Sequence, residues 1–186
     1  MKRLFDLLLG LIAAAALALP ILIVALAVHL TSPGPVLYWS ERVGRKNRIF
    51  KMPKFRSMRI DTPAVATHLL KNPDHWLTPI GPFLRKSSLD ELPQLWSIFK
   101  GDMSFVGPRP ALFNQHDLIA LRTEAGVHNL IPGLTGWAQV NGRDELPVPQ
   151  KVQLDIEYLE KRSLGLDLKI LWMTVLKVLA RDGVSH

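Results

Sequence analysis

No cysteine occurs among the 186 residues, which removes disulfides, thiolate nucleophiles and cysteine-based metal centres. No GxxxxGK[ST], GxGxxG or HExxH is present either, so a P-loop, a dinucleotide fingerprint and a zincin site lack support. The six histidines are dispersed and show no ligand spacing. Fourteen prolines and twelve glycines are too scattered for a collagenous or low-complexity chain. Acidic residues are the minority, 16 against 23 Lys and Arg, and the net charge of +7 points to anionic partners: phosphates, acidic lipid headgroups or nucleic acid. With 48% apolar residues the chain is not a disordered tail, and its length suits a single packed core. The mean hydropathy of +0.14 is high for so basic a protein, and one segment accounts for much of it.

From Leu7 to Val28 no side chain is charged or hydrogen-bonding. Those 22 residues would measure roughly 33 Å as a helix, about one hydrocarbon core. A spanning helix is the simplest reading. A signal peptide is also conceivable, with Ala25-Leu26-Ala27 as its cleavage site, although the apolar run exceeds the usual length. The flanks suggest a third path. Lys2 and Arg3 precede the segment, Arg42, Arg45, Lys46 and Arg48 follow it, and positive charge favours the cytoplasmic side at both ends. Pro20 lies deep inside, where it removes a backbone donor and kinks or breaks the helix near Ala16. Two arms could then enter and leave by the same face.

The turn Thr31-Ser32-Pro33-Gly34-Pro35 marks a boundary, dividing residues 1–35 from 36–186. Val36–Ser40 and Ile49–Met58 read as short strands around a basic loop. Residues 62–78, with His68, His75 and Trp76, read as irregular and partly helical. Leu89, Leu92, Leu95, Trp96 and Phe99 recur at helical spacing. Helices are predicted near 150–161 and 167–180. The latter carries Leu168, Leu171, Trp172, Val175 and Leu179 on one face, which suits either a core-facing helix or one lying on a membrane surface. The fold class is α+β, mainly helical, with short strands.

Chemistry can reside in one basic stretch, one carboxylate pair and two loops. Val36–Ile60 holds eight Lys or Arg against the single Glu41. Lys54 and Arg56 alternate with apolar residues, so a strand would aim both cations to one face, as a solvated surface or a pyrophosphate cradle. Asp90 and Glu91 lie in Ser88-Leu89-Asp90-Glu91-Leu92-Pro93. Ser88 and Glu91 match a capping box, and Lys86 is placed to pair with Asp90. The same position, beside Arg85 and Lys86, would keep a carboxylate ionised as a nucleophile or Mg²⁺ ligand. In Gly107-Pro108-Arg109-Pro110 two prolines stiffen the backbone around one guanidinium, which suits phosphate recognition. Asn141-Gly142-Arg143 places another Arg after a tight turn. Either Arg could instead pair with an acid such as Asp102 or Asp144.

Together the runs KFRSM (54–58), SLDELPQLWSIFKGDMSFVGPRP (88–110) and PGLTGWAQVNGR (132–143) resemble the bacterial sugar transferases, the monotopic phosphoglycosyl transferases in their minimal single-domain form. The similarity runs from Lys2-Arg3-Leu4-Phe5-Asp6 to the last helix. It implies transfer of a sugar-1-phosphate from a UDP-sugar to polyprenyl (undecaprenyl) phosphate, with release of UMP. Asp90 matches the family nucleophile, which carries the phosphosugar covalently, and Glu91 matches its partner in Mg²⁺ placement or acceptor activation. Lys54, Arg85, Arg109 and Arg143 become the candidate phosphate or nucleotide contacts, and Mg²⁺ the implied cofactor. The resemblance also favours the re-entrant hairpin, with Pro20 at its break, although many members have Ser where this chain has Leu19. It implies an anchor over 1–35 and a catalytic domain over 36–186 on the cytoplasmic face of the bacterial inner membrane. There it would contact lipid and could meet downstream glycosyltransferases, at the first membrane step of O-antigen, capsule, exopolysaccharide or glycoprotein glycan assembly. The rival reading is a membrane-anchored basic protein that binds anionic lipid or nucleic acid without catalysis. No Arg/aromatic nucleic-acid module is visible to support the latter ligand.

Overall fold

A computed structural model describes residues 1–63, 72–142 and 146–180, with side chains described to residue 178. His68, Arg143 and Asp144 lie outside the described residues, as does the side chain of Leu179.

The uncharged run forms a single helix, α1 (Lys2–Thr31), which continues through Pro20 without a break. Its inward residues, Asp6, Gly10, Ala13, Leu17, Ile21, Val24 and Val28, recur at intervals of three and four, so one stripe faces the protein along the whole helix. The opposite face leaves Leu4, Leu8, Leu11, Ile12, Leu19, Leu22, Ile23, Leu26 and Leu30 exposed. By length and composition α1 can cross a membrane. Both of its ends are nevertheless fastened to the same body. Near the start, Arg3 donates to the carbonyls of Ile98 and Phe99. Asp6 accepts from the Ser104 hydroxyl at 3.0 Å and the Phe105 amide at 3.1 Å. Lys2 pairs with Asp167, which also accepts from the Tyr158 hydroxyl. At the other end Val24 and Val28 pack with Phe55 and Leu84.

The basic stretch folds as an antiparallel ribbon, β1 (Leu37–Val43) with β2 (Ile49–Phe55), in register from Leu37↔Phe55 to Val43↔Ile49. The predicted strands are thus present, the first shifted toward its basic loop and the second ending before Arg56. Phe50 and Met52 alternate into the core, and Lys54 follows them on that face.

After the short 3-10 turn Pro73–Trp76 comes α2 (Gly81–Lys86). The apolar spacing from Leu89 to Phe99 predicts one helix, but the structure holds two pieces, a 3-10 segment Leu89–Gln94 and then α3 (Leu95–Lys100). Pro93 supplies the reason: it has no N–H to close an α-helical turn onto Leu89. Next, β3 (Ser104–Val106) pairs in parallel with β4 (Gly133–Thr135), and α4 (His116–Glu124) crosses between them. The described residues end in α5 (Trp137–Asn141), α6 (Val148–Lys161) and α7 (Leu164–Ala180). The main core gathers Phe50, Met52, Ile98, Met103, Val106, Tyr158 and Ile170 against α1.

The apolar face of α7 divides between the two readings. Ile170 and Asp167 turn inward and Leu171 packs against the main core, whereas Leu168, Trp172 and Val175 stay exposed. Phe83 and Trp96 add further exposed apolar surface.

Candidate active site

Asp90 and Glu91 stand in the 3-10 segment just after a sharp turn at Ser88, whose backbone is left-handed at φ 56° and ψ 17°. An N-cap residue normally has extended backbone angles that aim its hydroxyl at the helix amides. Ser88 does not, and its side chain makes no capping bond. The capping-box reading is therefore not realised. Glu91 reaches into the protein instead, and Asp90 is buried at 8% exposure.

Lys54 enters the same space from β2. Its Nζ lies 2.7 Å from Glu91 Oε1 and 3.9 Å from Asp90 Oδ2. Arg109 completes the cluster with Nη2 3.2 Å from Glu91 Oε1, so Glu91, rather than Asp102, is an acid partner of this Arg. Burial alone would raise the Glu91 carboxyl, but the charges and hydrogen bonds of Lys54 and Arg109 outweigh it and hold the group far below the usual carboxylate range. Glu91 is a fixed anion here, tied to two elements far apart in the chain.

Arg109 owes its place to the joining of the two loop motifs. Gly107 donates to the Thr135 carbonyl and Gly133 to the Pro108 carbonyl, both at 2.9 Å. The two backbones approach so closely that a Cβ on Gly107 would meet the Ile131 oxygen at 2.4 Å. From α4, Arg122 donates through Nη1 to the Arg109 carbonyl at 2.8 Å. Its Nε and Nη2 bond Asp155 Oδ2 on α6 at 2.9 and 2.6 Å. Burial raises the Asp155 carboxyl, opposed by the adjacent Arg122. Arg122 and Asp155 thus brace the backbone that carries Arg109. Sequence reasoning missed both, because neither sits in a motif and their pairing spans 33 positions.

Four of the predicted residues, Lys54, Asp90, Glu91 and Arg109, therefore converge. Arg85 sits at the end of α2, with Nη1 3.2 Å from the Met58 sulfur. Arg56, expected to share a face with Lys54, is buried beyond the end of β2 and donates to the Pro33 carbonyl. The oxygen donors of Asp90 and Glu91 fit Mg²⁺ in its common usage, where one or two carboxylates hold the ion and substrate phosphates supply more ligands. No group of three His, Asp or Glu suited to a metal occurs among the described residues, so an all-protein cage is not offered there. A fixed anion, two cations and a buried second carboxylate can receive a diphosphate and present a nucleophile to it.

The family model described as bacterial sugar transferase matches residues 1–181. A Bacillus subtilis protein named "Uncharacterized sugar transferase EpsL" is 41% identical over 189 residues, covering 100% of this chain and 91% of its own. The Xanthomonas campestris UDP-glucose:undecaprenyl-phosphate glucose-1-phosphate transferase is 42% identical, over 97% of this chain and 39% of its own. The Salmonella typhimurium undecaprenyl-phosphate galactose phosphotransferase is 35% identical, over 98% of this chain and 41% of its own. The chain thus spans nearly all of the first relative and about two-fifths of the other two.

Proposed function

The chain belongs to the bacterial sugar transferase family, and from that premise we propose that it moves a sugar-1-phosphate from a UDP-sugar to polyprenyl phosphate. An Asp90 carboxylate oxygen attacks the β-phosphorus of the donor. The bond from that phosphorus to the bridging oxygen breaks, and UMP leaves with the electron pair. The phosphosugar stays on Asp90 as an acyl phosphate. An oxygen of polyprenyl phosphate then attacks the same phosphorus, the bond to Asp90 breaks, and the carboxylate is restored with a polyprenyl diphosphosugar as product. Splitting the transfer lets one site serve a soluble donor and a lipid acceptor in turn.

The observation that carries this reading is the convergence of Lys54, Asp90, Glu91 and Arg109 in a member of this family. Lys54 keeps positive charge beside Asp90 and fixes Glu91. Arg109, rigidly presented, binds donor phosphate, with Arg85 and Arg143 as further phosphate or nucleotide contacts. Asp90 and Glu91 would hold Mg²⁺, which would neutralise charge on the diphosphate.

The reaction belongs at a membrane. In a straight crossing the two ends of α1 would lie on opposite faces, yet both are fastened to the same polar domain. This favours a re-entrant path for residues 1–35, bent at Pro20, with both basic flanks on the cytoplasmic side. The exposed faces of α1 and α7, with Trp96 and Phe83, suit a domain lying on the inner membrane as a monotopic enzyme. In that place it would make the first lipid-linked sugar of a surface glycan.

The test uses detergent-purified protein, Mg²⁺, undecaprenyl phosphate and a panel of UDP-sugars, with UMP release as readout. One donor is expected to yield UMP, and Asp90→Asn to abolish it. UMP release undiminished in Asp90→Asn would overturn the nucleophile, and absence of turnover with every bacterial UDP-sugar would favour the binding-only reading.

A further inference from the structure

One side of the β1–β2 ribbon faces the carboxylate cluster. The register sets Tyr38 directly opposite Lys54, so both side chains project from that side, with Cβ atoms about 5 Å apart. Lys54 uses the position to reach Glu91 and Asp90. Ser40, Arg42, Phe50 and Met52 share the same side. Ser40, Phe50 and Met52 are buried, and Arg42 donates through Nη1 to the Pro110 carbonyl at 3.2 Å. Of these six residues only Tyr38 is open, at 51% exposure. An aromatic ring left open beside Lys54, on a face otherwise taken up by the core and the site, is placed to meet what enters the site.

The two ends of β1 select the substrate that passes Tyr38. Toward Val43 the strand is fastened to the loop that carries Arg109: Arg42 bonds the Pro110 carbonyl, and the Val43 amide donates to the Ala111 carbonyl at 2.9 Å. Toward Leu37 its surroundings are apolar. Val36 and Leu37 pack against Val24, Val28, Phe55 and Leu84, at the far end of α1. The Arg109 loop and Tyr38 thus lie toward opposite ends of the ribbon. The proposed donor is a soluble nucleotide with Arg109 as its phosphate contact. The acceptor is a lipid, and it reaches Asp90 from the side of α1, which is the side of Tyr38. A phenol suits such a ligand, because its ring packs on an apolar chain while its hydroxyl donates to a phosphate oxygen.

We infer that Tyr38 is an acceptor-binding residue: its hydroxyl donates to the phosphate of polyprenyl phosphate, and its ring packs on the adjoining isoprene unit. The inference deepens the proposed reaction and rests on it. Tyr38 takes no part in bond making. It orders the lipid phosphate for attack on the phosphorus carried by Asp90.

In a two-step exchange, kcat/KM for the donor reports the first half-reaction and kcat/KM for the acceptor reports the second. Both would be measured by UMP release from the full chain in detergent micelles, for the parent, Tyr38→Phe and Tyr38→Ala. Tyr38→Ala should lower kcat/KM for undecaprenyl phosphate about tenfold or more, Tyr38→Phe severalfold, and both should keep the UDP-sugar value within about twofold. An unchanged acceptor value in Tyr38→Ala overturns the contact, and so does an equal fall in the donor and acceptor values. Unfolding temperatures identify a variant that fails to fold, in which case Tyr38→Phe decides. If the parent turns over no UDP-sugar, the proposed reaction fails on its own, and undecaprenyl phosphate binding read by native mass spectrometry decides on Tyr38. Weaker binding by Tyr38→Ala then supports the contact, and equal binding overturns it.

Discussion

Replacing Lys54 by Met keeps most of the aliphatic stem and removes the ammonium that lies 2.7 Å from Glu91 and 3.9 Å from Asp90. At an effective dielectric of about 20 those separations correspond to Coulomb terms of about 6 and about 4 kcal/mol. Much of this is offset by the desolvation of three charges. Breaking a fully buried pair costs about 3–5 kcal/mol, and here the partial exposure of Lys54 and Glu91 and the remaining Arg109 contact reduce that to about 2 kcal/mol. The pH dependence makes the test specific. Glu91 is depressed below its ordinary value of 4.5, so its contribution to stability is fully present above that pH and is lost as pH falls toward the folded value. Without Lys54 the depression shrinks, so the variant has less stability to lose on acidification. Thermal unfolding in micelles, followed by circular dichroism, should show Lys54→Met well below the parent at pH 7 and the gap narrowing once pH falls below the variant's own, less depressed Glu91 value. Equal unfolding at pH 7, or a steeper loss on acidification in the variant than in the parent, would refute the account of Glu91 as an anion held by Lys54.

Two further outcomes follow from the geometry around the site. Asp155→Asn leaves the Arg122 guanidinium without its buried counter-charge and should cost about 3 kcal/mol in micelle unfolding experiments; by loosening the backbone of Arg109 it should also raise the KM for the UDP-sugar, and an unchanged KM would show that Arg122 does not position Arg109. Ser88→Gly removes a side chain from a left-handed position where it makes no capping bond, so stability should rise by about 0.5–1 kcal/mol. A clear loss of stability in that variant would restore the capping-box reading.

What could be read from the sequence was whatever depends on neighbours along the chain. The uncharged run from Leu7 to Val28 announced α1, and the pattern over Ile49–Met58 announced a strand that carries Lys54, though not that this cation follows Phe50 and Met52 on the core-facing side. The short motifs marked Asp90, Glu91 and Arg109, all of which the fold brings together with Lys54. Distant contacts were not legible. Nothing near Arg122 in the chain indicates that it will meet Asp155 and the Arg109 carbonyl. The Ser88–Glu91 spacing fits a capping box, but Glu91 is drawn to cations from β2 and the Gly107–Pro110 loop, a pull that local spacing does not record. The single helix predicted across Leu89–Phe99 fails because a missing N–H at Pro93 outweighs the periodicity of the apolar residues.

The fastening of α1 at both ends has a consequence for biogenesis. The partners of its first residues come late: Asp6 bonds a residue 98 positions downstream, and Lys2 pairs with one 165 positions downstream. During synthesis the helix therefore emerges well before the surface that holds its beginning. On the proposed membrane path it would wait in the lipid with Lys2, Arg3 and Asp6 unpaired until α3, β3 and then α7 have been made. Closure of such distant contacts is slow relative to local helix formation. Ribosome stalling before Asp167 should leave the start of α1 open to protease, and completion of α7 should close it.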